Sequence, residues 1–592
     1  MSARNRYFED ERIETVDPRT LRRLLGYLKP YKLQVSLALL LMSVARLADL
    51  LNPILIMLAI DKYIANGNIK GLLMVSITYF LLLAISNIAI KYRVLVTNKI
   101  GHNVIKNLRK EVFGHIQKLS FNFFDSLPAG KIITRVMNNV NTLQDLLQNG
   151  VINVVINIFT LFIIMIIMFR IHFRLTLIAL SVSPILITIV FLLKNKIRLA
   201  WREVQKKGSN LNAYIHESIT GIKVTQAFVR EEKNSSIFKE LVDLYKRTWM
   251  KAVMLSHSVF PSVLVVNSIS GILVYYVGLK YLETGLVTVG TLIALGNYVW
   301  RFWQPIIELS NFYNQILIAN SAAERVFQVL DTEPAIVDKA DAIELPEVKG
   351  KVEFKNVTFS YEKDIKVLKK MTFTVEPGET IALVGATGAG KSTIINLLTR
   401  FYDIDSGEIL IDGIDIRDVT IESLRKQVGV MMQDSFIFSG TVMDNIRYGK
   451  LDATDEEVIE AAKTIHADPF IRSMENGYET ELNEGGSRLS TGQRQLISFA
   501  RIILYNPKIL ILDEATSSID TQTEILIQKA TDVVLKGRTS FVIAHRLSTI
   551  RNADRIFVID DGEIIEAGNH QELINKGGAY YHLYKAQYSK VV

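Results

Sequence analysis

The residues from Gly385 to Ser392 follow the spacing G-x-x-x-x-G-K-[ST]. The β-rich run TIALVG precedes them and the apolar helical run IINLLTRF follows, which is the strand, loop and helix context of a phosphate-binding loop. Glycines let backbone N–H groups close around phosphates, Lys391 neutralises those phosphates, and the hydroxyl of Ser392 is a ligand for Mg²⁺. The pattern therefore predicts a phosphate site, and a glycine-rich turn is the alternative.

Two acidic residues and one histidine follow later β-rich runs. The run ILILD ends at Asp513, where a carboxylate can hold Mg²⁺ through water, and Glu514 comes next. We expect Glu514 to act as the general base for the water that attacks the γ-phosphate. His545 follows the run TSFVIA and can donate to the same phosphate or polarise that water. A histidine with only a structural role is the alternative.

A β-sheet must position these residues. From Val352 onward, short β-rich runs are separated by turn signals, and helical runs lie between some of them. The runs are VEFKNVTF, LKKMTFTV, TIALVG, KILILDEA and TSFVIAH. The second half of the chain is thus predicted to be an α/β domain.

The first half is predicted to lie in a membrane. Of the 592 residues, 49% are hydrophobic and 22% are charged, and the mean hydropathy is +0.22, which excludes a disordered chain. The absence of cysteine excludes a disulfide framework, a thiolate metal site and a cysteine nucleophile. Apolar runs near the length of a membrane span lie at about 33–60, 72–90, 151–169, 175–193, 256–279 and 287–307.

The positive charges indicate the orientation. Nine Lys and Arg residues lie from Lys91 to Arg135 and 13 lie from Lys194 to Lys251, so these long connections are predicted to be cytoplasmic. Apolar positions at helical spacing make each connection two helical legs, with turns near Phe124 to Gly130 and near Asn212 to Ile219. The net charge of +8 then belongs to membrane-proximal helices, and no nucleic-acid partner is expected.

Seven segments resemble the ATP-binding cassette (ABC) family in order and spacing. They are Tyr361 in FSY, GATGAGKS, Gln433 in VMMQD, LSTGQ from Leu489 to Gln493, ILILDE, SSID ending at Asp520, and His545 in AHR. In the first half, FFDSLPAGKIITRVMNNV, ESITGIKVTQAF and AAERVFQVLD look like the coupling-helix and final-helix segments of ABC exporters. The resemblance runs from about Arg22 to the C-terminus.

The resemblance implies roles for these residues. Tyr361 stacks on adenine, Gln433 contacts Mg²⁺ and relays the nucleotide state, and Ser490 to Gln493 meet the γ-phosphate of an ATP held by another subunit. The implied catalytic residues are Glu514, His545 and Gln433, and the metal ligands are Ser392, Gln433 and Asp513. The implied ATP contacts are Tyr361, Gly385, Ala386, Thr387, Gly388, Ala389, Gly390, Lys391, Ser392, Thr393, Ser490, Thr491, Gly492, Gln493 and Asp520.

The predicted fold is multi-domain. An N-terminal cytoplasmic segment with an elbow helix (1–32) precedes a six-helix transmembrane domain with long cytoplasmic extensions (33–331). A linker (332–350) then leads to an α/β P-loop nucleotide-binding domain (351–592). We expect a multi-pass protein of the bacterial plasma membrane, with both termini and the nucleotide domain in the cytoplasm.

The resemblance implies ATP-driven export of amphipathic small molecules, lipids or peptides by a dimer, with ATP and Mg²⁺ as cofactors. An ATP-gated channel, a regulatory protein and an importer on the same scaffold are the alternatives. One departure from the family favours a heterodimer with a homologous half over a homodimer, because Thr491 stands where the family usually has glycine. Asn483 and Gly485 also depart from the family pattern.

Charged residues within two apolar runs define a candidate substrate cavity. Arg46 and Asp49 lie near the middle of the first run, and Arg301 lies at comparable depth in the sixth beside Trp300. Charges at such depth are costly and usually face a cavity or a partner. We expect the arginines to favour anionic or amphipathic substrates, and an internal salt bridge that only fixes helix packing is the alternative.

Overall fold

The computed structural model describes residues 17–362, 365–433, 435–486, 488–513, 521–544 and 547–588. Three predicted site residues, Glu514, Asp520 and His545, lie outside these ranges. The chain divides into two compact units. The first contains the residues up to Gln117 together with Ala129–Asp331, and the second contains Lys118–Pro128 together with the chain from Thr332 onward.

Helices account for the regular structure up to Leu330. They are α1 Pro18–Gly26, α2 Lys32–Leu58, α3 Ile69–Ile116, α4 Phe121–Ser126, α5 Ala129–Thr134, α6 Val140–Asp145, α7 Val151–Ile171, α8 Phe173–Leu180, α9 Ser183–Thr220, α10 Ile222–Ala227, α11 Glu231–His257, α12 Val259–Glu283 and α13 Val289–Leu330. A 3₁₀ turn lies at Lys29–Tyr31, and short π-helical stretches lie at Ala59–Ile64, Arg135–Asn139 and Leu146–Gly150.

Five helical stretches of the described residues are long and apolar enough to cross a membrane, and they contain the first five predicted runs. They are Lys29–Ile64, Ile69–Ile116, Ala129–Ile171, Phe173–Thr220 and Glu231–Glu283. The sixth predicted run, at 287–307, lies almost entirely in α13, a helix of 42 residues that contains the charged residues Arg301 and Glu308 and is not one of these five stretches.

The long helices exceed the thickness of a bilayer. At 1.5 Å per residue, the 48 residues of α3 extend roughly 70 Å, against about 30 Å for a hydrocarbon core. Helical legs beyond the membrane were predicted, and α3 and α9 provide them. The predicted turn near Asn212 to Ile219 is wrong, because α9 continues through these residues to Thr220. Its last turn is capped when the Gly221 N–H donates to the Glu217 carbonyl at 2.8 Å.

The second unit contains twelve strands among its described residues. The strands are β1 Val352–Glu362, β2 Ile365–Val375, β3 Thr380–Val384, β4 Ser406–Ile411, β5 Ile414–Asp415, β6 Val428–Met431, β7 Gly440–Thr441, β8 Glu481–Leu482, β9 Ile509–Asp513, β10 Thr539–Ile543, β11 Arg555–Asp560 and β12 Glu563–Gly568. Each of the five predicted β-rich runs contains a strand, whereas the ends of KILILDEA and TSFVIAH, at Glu514, Ala515 and His545, lie outside the described residues.

Helices and 3₁₀ turns connect these strands. The helices are α14 Lys391–Leu398, α15 Ile421–Gln427, α16 Val442–Arg447, α17 Asp455–Thr464, α18 Asp468–Arg472, α19 Thr491–Tyr505, α20 Thr521–Leu535, α21 Leu547–Asn552, α22 His570–Lys576 and α23 Ala579–Tyr588. The 3₁₀ turns are Gly477–Glu479 and Glu484–Gly486.

Two larger sheets build the second unit. One is antiparallel with strand order β2-β1-β4-β5, and the other has the order β12-β11-β3-β10-β9-β6, in which all neighbours except β12 and β11 are parallel. Strands β3 and β10 are almost continuously apolar and buried, as expected for a parallel sheet covered on both faces. The aromatic rings of Phe354 and Phe373 stack at 4.4 Å between centroids within one of its two apolar cores.

Candidate functional site

The predicted phosphate loop lies between β3 and α14. Gly385, Gly388 and Gly390 have φ values of +151°, +86° and +107°, a region that glycine occupies without a steric penalty. A Cβ atom on Gly385 would lie 2.1 Å from the Ile559 carbonyl oxygen, so this position cannot take a larger residue unless the backbone moves. Ala386, Thr387, Gly388 and Ser392 are exposed, whereas Ala389 and Gly390 are buried.

Lys391 crosses the loop. Its Nζ donates to the carbonyl oxygens of Gly385 and Ala386, both at 2.8 Å. Burial lowers the pKa of Lys391 below its ordinary value, and the negative charge of Asp513 opposes this shift. A partly desolvated cation in a glycine-rich loop at the N-terminus of a helix suits a phosphate ligand. The loop therefore fits the phosphates of a nucleotide.

Tyr361 lies beside the loop helix. Its hydroxyl donates to Oγ1 of Thr393 at 3.3 Å and accepts from Nδ2 of Asn396 at 3.1 Å. Its side chain is half exposed, and its ring meets that of Phe359 edge-on at 4.8 Å. An exposed aromatic face beside a phosphate loop can stack on a base. Thr393 is buried, and its side chain accepts the hydrogen bond from Tyr361.

The parallel sheet brings further predicted residues to the same edge. The phosphate loop follows β3, Asp513 ends β9, and Gln433 comes two residues after β6. The order β3-β10-β9-β6 places the carboxyl ends of these strands side by side. Ligands of open α/β sheets bind outside this edge. The segments that carry the predicted metal ligands Ser392, Gln433 and Asp513 therefore lie along one edge of the sheet.

The predicted signature residues begin α19. Ser490 caps this helix: its Oγ accepts from the Gln493 N–H at 3.2 Å, and Oε1 of Gln493 accepts from the Ser490 N–H at 2.9 Å. Oγ1 of Thr491 accepts from Nη2 of Arg494 at 3.1 Å. Gly492 is buried, whereas Ser490 is exposed at the helix N-terminus. Free N–H groups at a helix N-terminus attract anions.

Gln433 and Thr491 line one cavity of about 270 Å³. Its other lining residues are Ser435, Phe436, Gly485, Arg494 and Gln495. The structure thus brings the residue predicted to relay the nucleotide state close to the signature helix of the same chain.

The chain was compared with known protein families and with known proteins. Residues 35–303 match the ABC transporter transmembrane region, and residues 368–517 match the ABC transporter family. A putative multidrug export ATP-binding/permease protein of Bacillus subtilis (strain 168) is 37% identical over 574 residues, which are 96% of this chain and 99% of that protein. The chain belongs to the ABC transporter family.

Two further relatives support the exporter type. An ATP-dependent lipid A-core flippase of Syntrophus aciditrophicus (strain SB) is 35% identical over 570 residues, or 96% of this ABC transporter and 94% of the flippase. A solved bacterial Atm1-family ABC exporter with ATP bound has a TM-score of 0.77 and 28% identity, and the match covers 97% of this chain and 100% of that one. The predicted family, fold class and ATP-hydrolysing transport activity are confirmed, and the chain is a multi-pass membrane protein.

The predicted cavity residues of this ABC transporter lie in the first unit. Arg46 Nη2 lies 3.9 Å from Glu308 Oε2, and Arg301 Nη1 donates to the Asp49 carbonyl oxygen at 3.0 Å. The Asp49 carboxylate accepts from Ser86 Oγ at 3.1 Å, so Asp49 forms no ion pair with an arginine among the described residues. Trp300 is 52% exposed.

The sequence analysis missed two residues. Tyr402 contacts both Tyr361 and Asp125, and Arg93 faces the predicted cavity residue Arg46 closely enough for their charges to repel. The sequence offered only a weak indication of the role of Tyr402, namely the aromatic pair in RFYD that follows the phosphate-loop helix. Arg93 lies just beyond the predicted apolar run at 72–90, and it was therefore assigned to the basic connection.

Proposed function

We propose that this ABC transporter is one half of an exporter that uses ATP to move amphipathic small molecules, lipids or peptides out of the cytoplasm by alternating access. The observation that carries this proposal is the segment Lys118–Pro128, which lies between two membrane helices in sequence but belongs to the nucleotide-domain unit. Phe121 of this segment packs against Phe401 at 4.5 Å between ring centroids. The relatives' names, which refer to multidrug export and to a lipid A-core flippase, support the choice of substrates.

The proposed nucleotide site uses the residues at the sheet edge. Tyr361 stacks on adenine, Gly385 to Thr393 hold the phosphates, and Lys391 neutralises their charge. Ser392, Gln433 and Asp513 would hold Mg²⁺, which would supply positive charge against the negative charge that develops on the γ-phosphate. Glu514 accepts the proton of the attacking water and His545 polarises this water.

The second half of each site comes from another subunit, because exporters of this family work as dimers. In the proposed dimer, Ser490 to Gln493 meet the γ-phosphate of the partner's ATP, and Asp520 completes that composite site. The exposed, capped N-terminus of α19 supports this role.

We favour a heterodimer with a homologous half-transporter. The Thr491 side chain is fixed by the bond from Arg494 at the first turn of α19, where glycine would let the phosphate approach more closely. The site completed by this signature is then expected to bind ATP but hydrolyse it slowly, while the other site hydrolyses it. A homodimer would have two such sites.

Inverted membrane vesicles test the transport direction. ATP-dependent accumulation of a fluorescent amphipath or lipid is the expected result for an exporter whose nucleotide domain faces outward. ATP-dependent loss from preloaded vesicles would indicate an importer, and ATP-dependent ion conductance without accumulation would indicate a channel. Either result would contradict the proposal.

The proposed topology places both termini, the nucleotide domain and the long connections in the cytoplasm of a bacterium. Because the chain has no cysteine, single introduced cysteines can be labelled without background. In intact cells, an impermeant maleimide should label Asn66→Cys and Glu283→Cys but not Glu232→Cys. The opposite pattern would invert the topology.

A further inference from the structure

Three arginines of the membrane unit, each on a different helix, relate to one stretch of α2: Arg46 lies on it, Arg301 contacts the backbone of Asp49 one turn away, and the charge of Arg93 acts on that of Arg46. They are Arg46 on α2, Arg93 on α3 and Arg301 on α13. The described acidic residues that contact them are Asp49, through its backbone carbonyl oxygen, and Glu308. Three guanidinium groups against two carboxylates leave an excess of one positive charge.

The pairing of these charges is incomplete. The closest approach of Arg46 to Glu308, 3.9 Å, is longer than a hydrogen bond. Arg301 uses one of its nitrogens on a backbone carbonyl oxygen instead of a carboxylate. Among the described residues, Arg93 forms no ion pair, and the Nε atoms of Arg46 and Arg93 are buried without a hydrogen-bond partner.

Buried guanidinium groups without partners on membrane helices are energetically unfavourable. A buried donor without an acceptor loses its hydration without compensation, and a charge within a membrane helix adds a further penalty. The guanidinium groups of Arg46 and Arg93 also repel each other. An anion between them would supply the missing acceptors and remove the repulsion, since guanidinium binds phosphate and carboxylate through paired N–H donors.

The acidic residues of the cluster are engaged. Glu308 accepts from Nε2 of Gln304 at 3.1 Å and faces Arg46, and Asp49 accepts from Ser86. A cationic ligand would therefore meet occupied carboxylates and three positive groups. Next to Arg301 in the chain, Trp300 is an aromatic residue that is 52% exposed.

We propose that Arg46, Arg93 and Arg301 bind the anionic headgroup, phosphate or carboxylate, of an amphipathic substrate. This inference rests on the proposed exporter function and names the class of substrate that the exporter binds. Arg93 was not among the cavity residues predicted from the sequence. Because Arg93 forms no ion pair among the described residues, a loss of anion binding on its replacement would not be explained by a salt bridge that only fixes helix packing.

The test uses the assembled transporter in phosphatidylcholine nanodiscs. Binding is measured by calorimetry for dodecyl phosphate, for dodecyl maltoside as a neutral amphipath with the same chain, and for inorganic phosphate as the free anion. We expect dodecyl phosphate to bind at least about tenfold more tightly than either of the others, since a hydrogen bond to a charged group is worth about that factor or more.

Arg93→Gln is the cleanest variant, because Arg93 has no ion pair whose partner would be left unpaired. We expect it to weaken dodecyl phosphate binding about tenfold, while Lys280→Gln, the loss of an exposed cation on α12, changes it less than twofold. The double variant Arg46→Gln/Glu308→Gln removes the Arg46 charge without leaving Glu308 unpaired. It should weaken binding to a similar extent.

Three results would overturn the inference. They are equal binding of dodecyl phosphate and dodecyl maltoside, equal binding of dodecyl phosphate and inorganic phosphate, and equal effects of Arg93→Gln and Lys280→Gln. ATP-dependent transport of a cationic dye, measured in the same preparation, tests the exporter proposal independently of the headgroup inference. If the dye is transported and dodecyl phosphate is not bound, the headgroup inference fails and the exporter remains.

Discussion

The hydroxyl group of Tyr402 donates a hydrogen bond to the carboxylate of Asp125, a residue of α4 that is 277 positions away in the chain. Burial raises the pKa of Tyr402 above its ordinary value, and the bond to Asp125 raises it further. The ring of Tyr402 meets that of Tyr361 edge-on, with 5.0 Å between centroids. One side chain thus joins the segment between the membrane helices to the tyrosine proposed to stack on adenine.

Replacing Tyr402 by phenylalanine tests this connection. Tyr402→Phe keeps the aromatic contact with Tyr361 but removes the hydrogen bond to Asp125, so ATP affinity should change less than about threefold. Substrate stimulation of the ATPase should fall severalfold, because a hydrogen bond to a charged group contributes about 1.5–3 kcal/mol. ATPase rates with and without a transported amphipath provide the measurement, and Asp125→Asn is the matched variant. Unchanged stimulation in both variants would contradict a coupling role.

The disruptive change Phe124→Asp tests the same segment. Phe124 is 39% exposed and meets Phe123 edge-on at 5.5 Å, so a carboxylate there disturbs the aromatic packing of α4 without touching the phosphate loop. We expect transport to be lost while nucleotide affinity is kept. Phe124→Leu, which keeps an apolar side chain, is the control. Full transport by Phe124→Asp would refute the coupling role of this segment.

The sequence predicted the local parts of this site better than its long-range contacts. The strand, loop and helix from Thr380 to Leu398 follow from neighbouring residues, because buried β-rich runs and positive-φ glycines act locally. The bond between Tyr402 and Asp125 joins distant segments and leaves no periodic trace. The turn predicted near Asn212 to Ile219 is wrong because the helical spacing of apolar and polar residues continues to Gly221, and no residue in between marks the end of the helix.

Gly385→Ala should impair the phosphate loop. The new Cβ would approach the Ile559 carbonyl oxygen to 2.1 Å, and φ is +151°, so the backbone must move. We expect ATP affinity to fall about 5-fold to 150-fold, for a conformational penalty of about 1–3 kcal/mol. Gly388→Ala is the matched control, because its φ of +86° imposes strain but no atom lies within 4 Å of the new Cβ. Binding of a fluorescent ATP analogue measures both, and equal losses would exclude the steric explanation.

Glu514→Gln should separate ATP binding from hydrolysis. The substitution keeps size and hydrogen bonding but removes the basic carboxylate, so turnover should fall about 100-fold or more while ATP still binds. Lys391→Ala should instead weaken binding, because it removes the charge that crosses the loop. Phosphate release and nucleotide binding, measured on the same preparations, distinguish the two. Near-wild-type turnover by Glu514→Gln would show that another group is the base.

Exchange of Thr491 for glycine tests the asymmetry of the proposed heterodimer. In Thr491→Gly, Arg494 loses the acceptor at 3.1 Å and the first turn of α19 gains freedom, at a cost of roughly a few tenths of a kcal/mol in helix stability. If threonine limits hydrolysis at the site completed by this signature, the ATPase rate of the assembled heterodimer should rise up to about twofold, because a second site then turns over. Thr491→Ser is the control, since it keeps the hydroxyl but lacks the β-branch.

The chain alone and the chain with a homologous half are compared by size-exclusion chromatography with light scattering and by ATPase rate. A homodimer with robust substrate-stimulated hydrolysis would overturn the heterodimer proposal, and an unchanged rate in Thr491→Gly would show that threonine does not limit the second site.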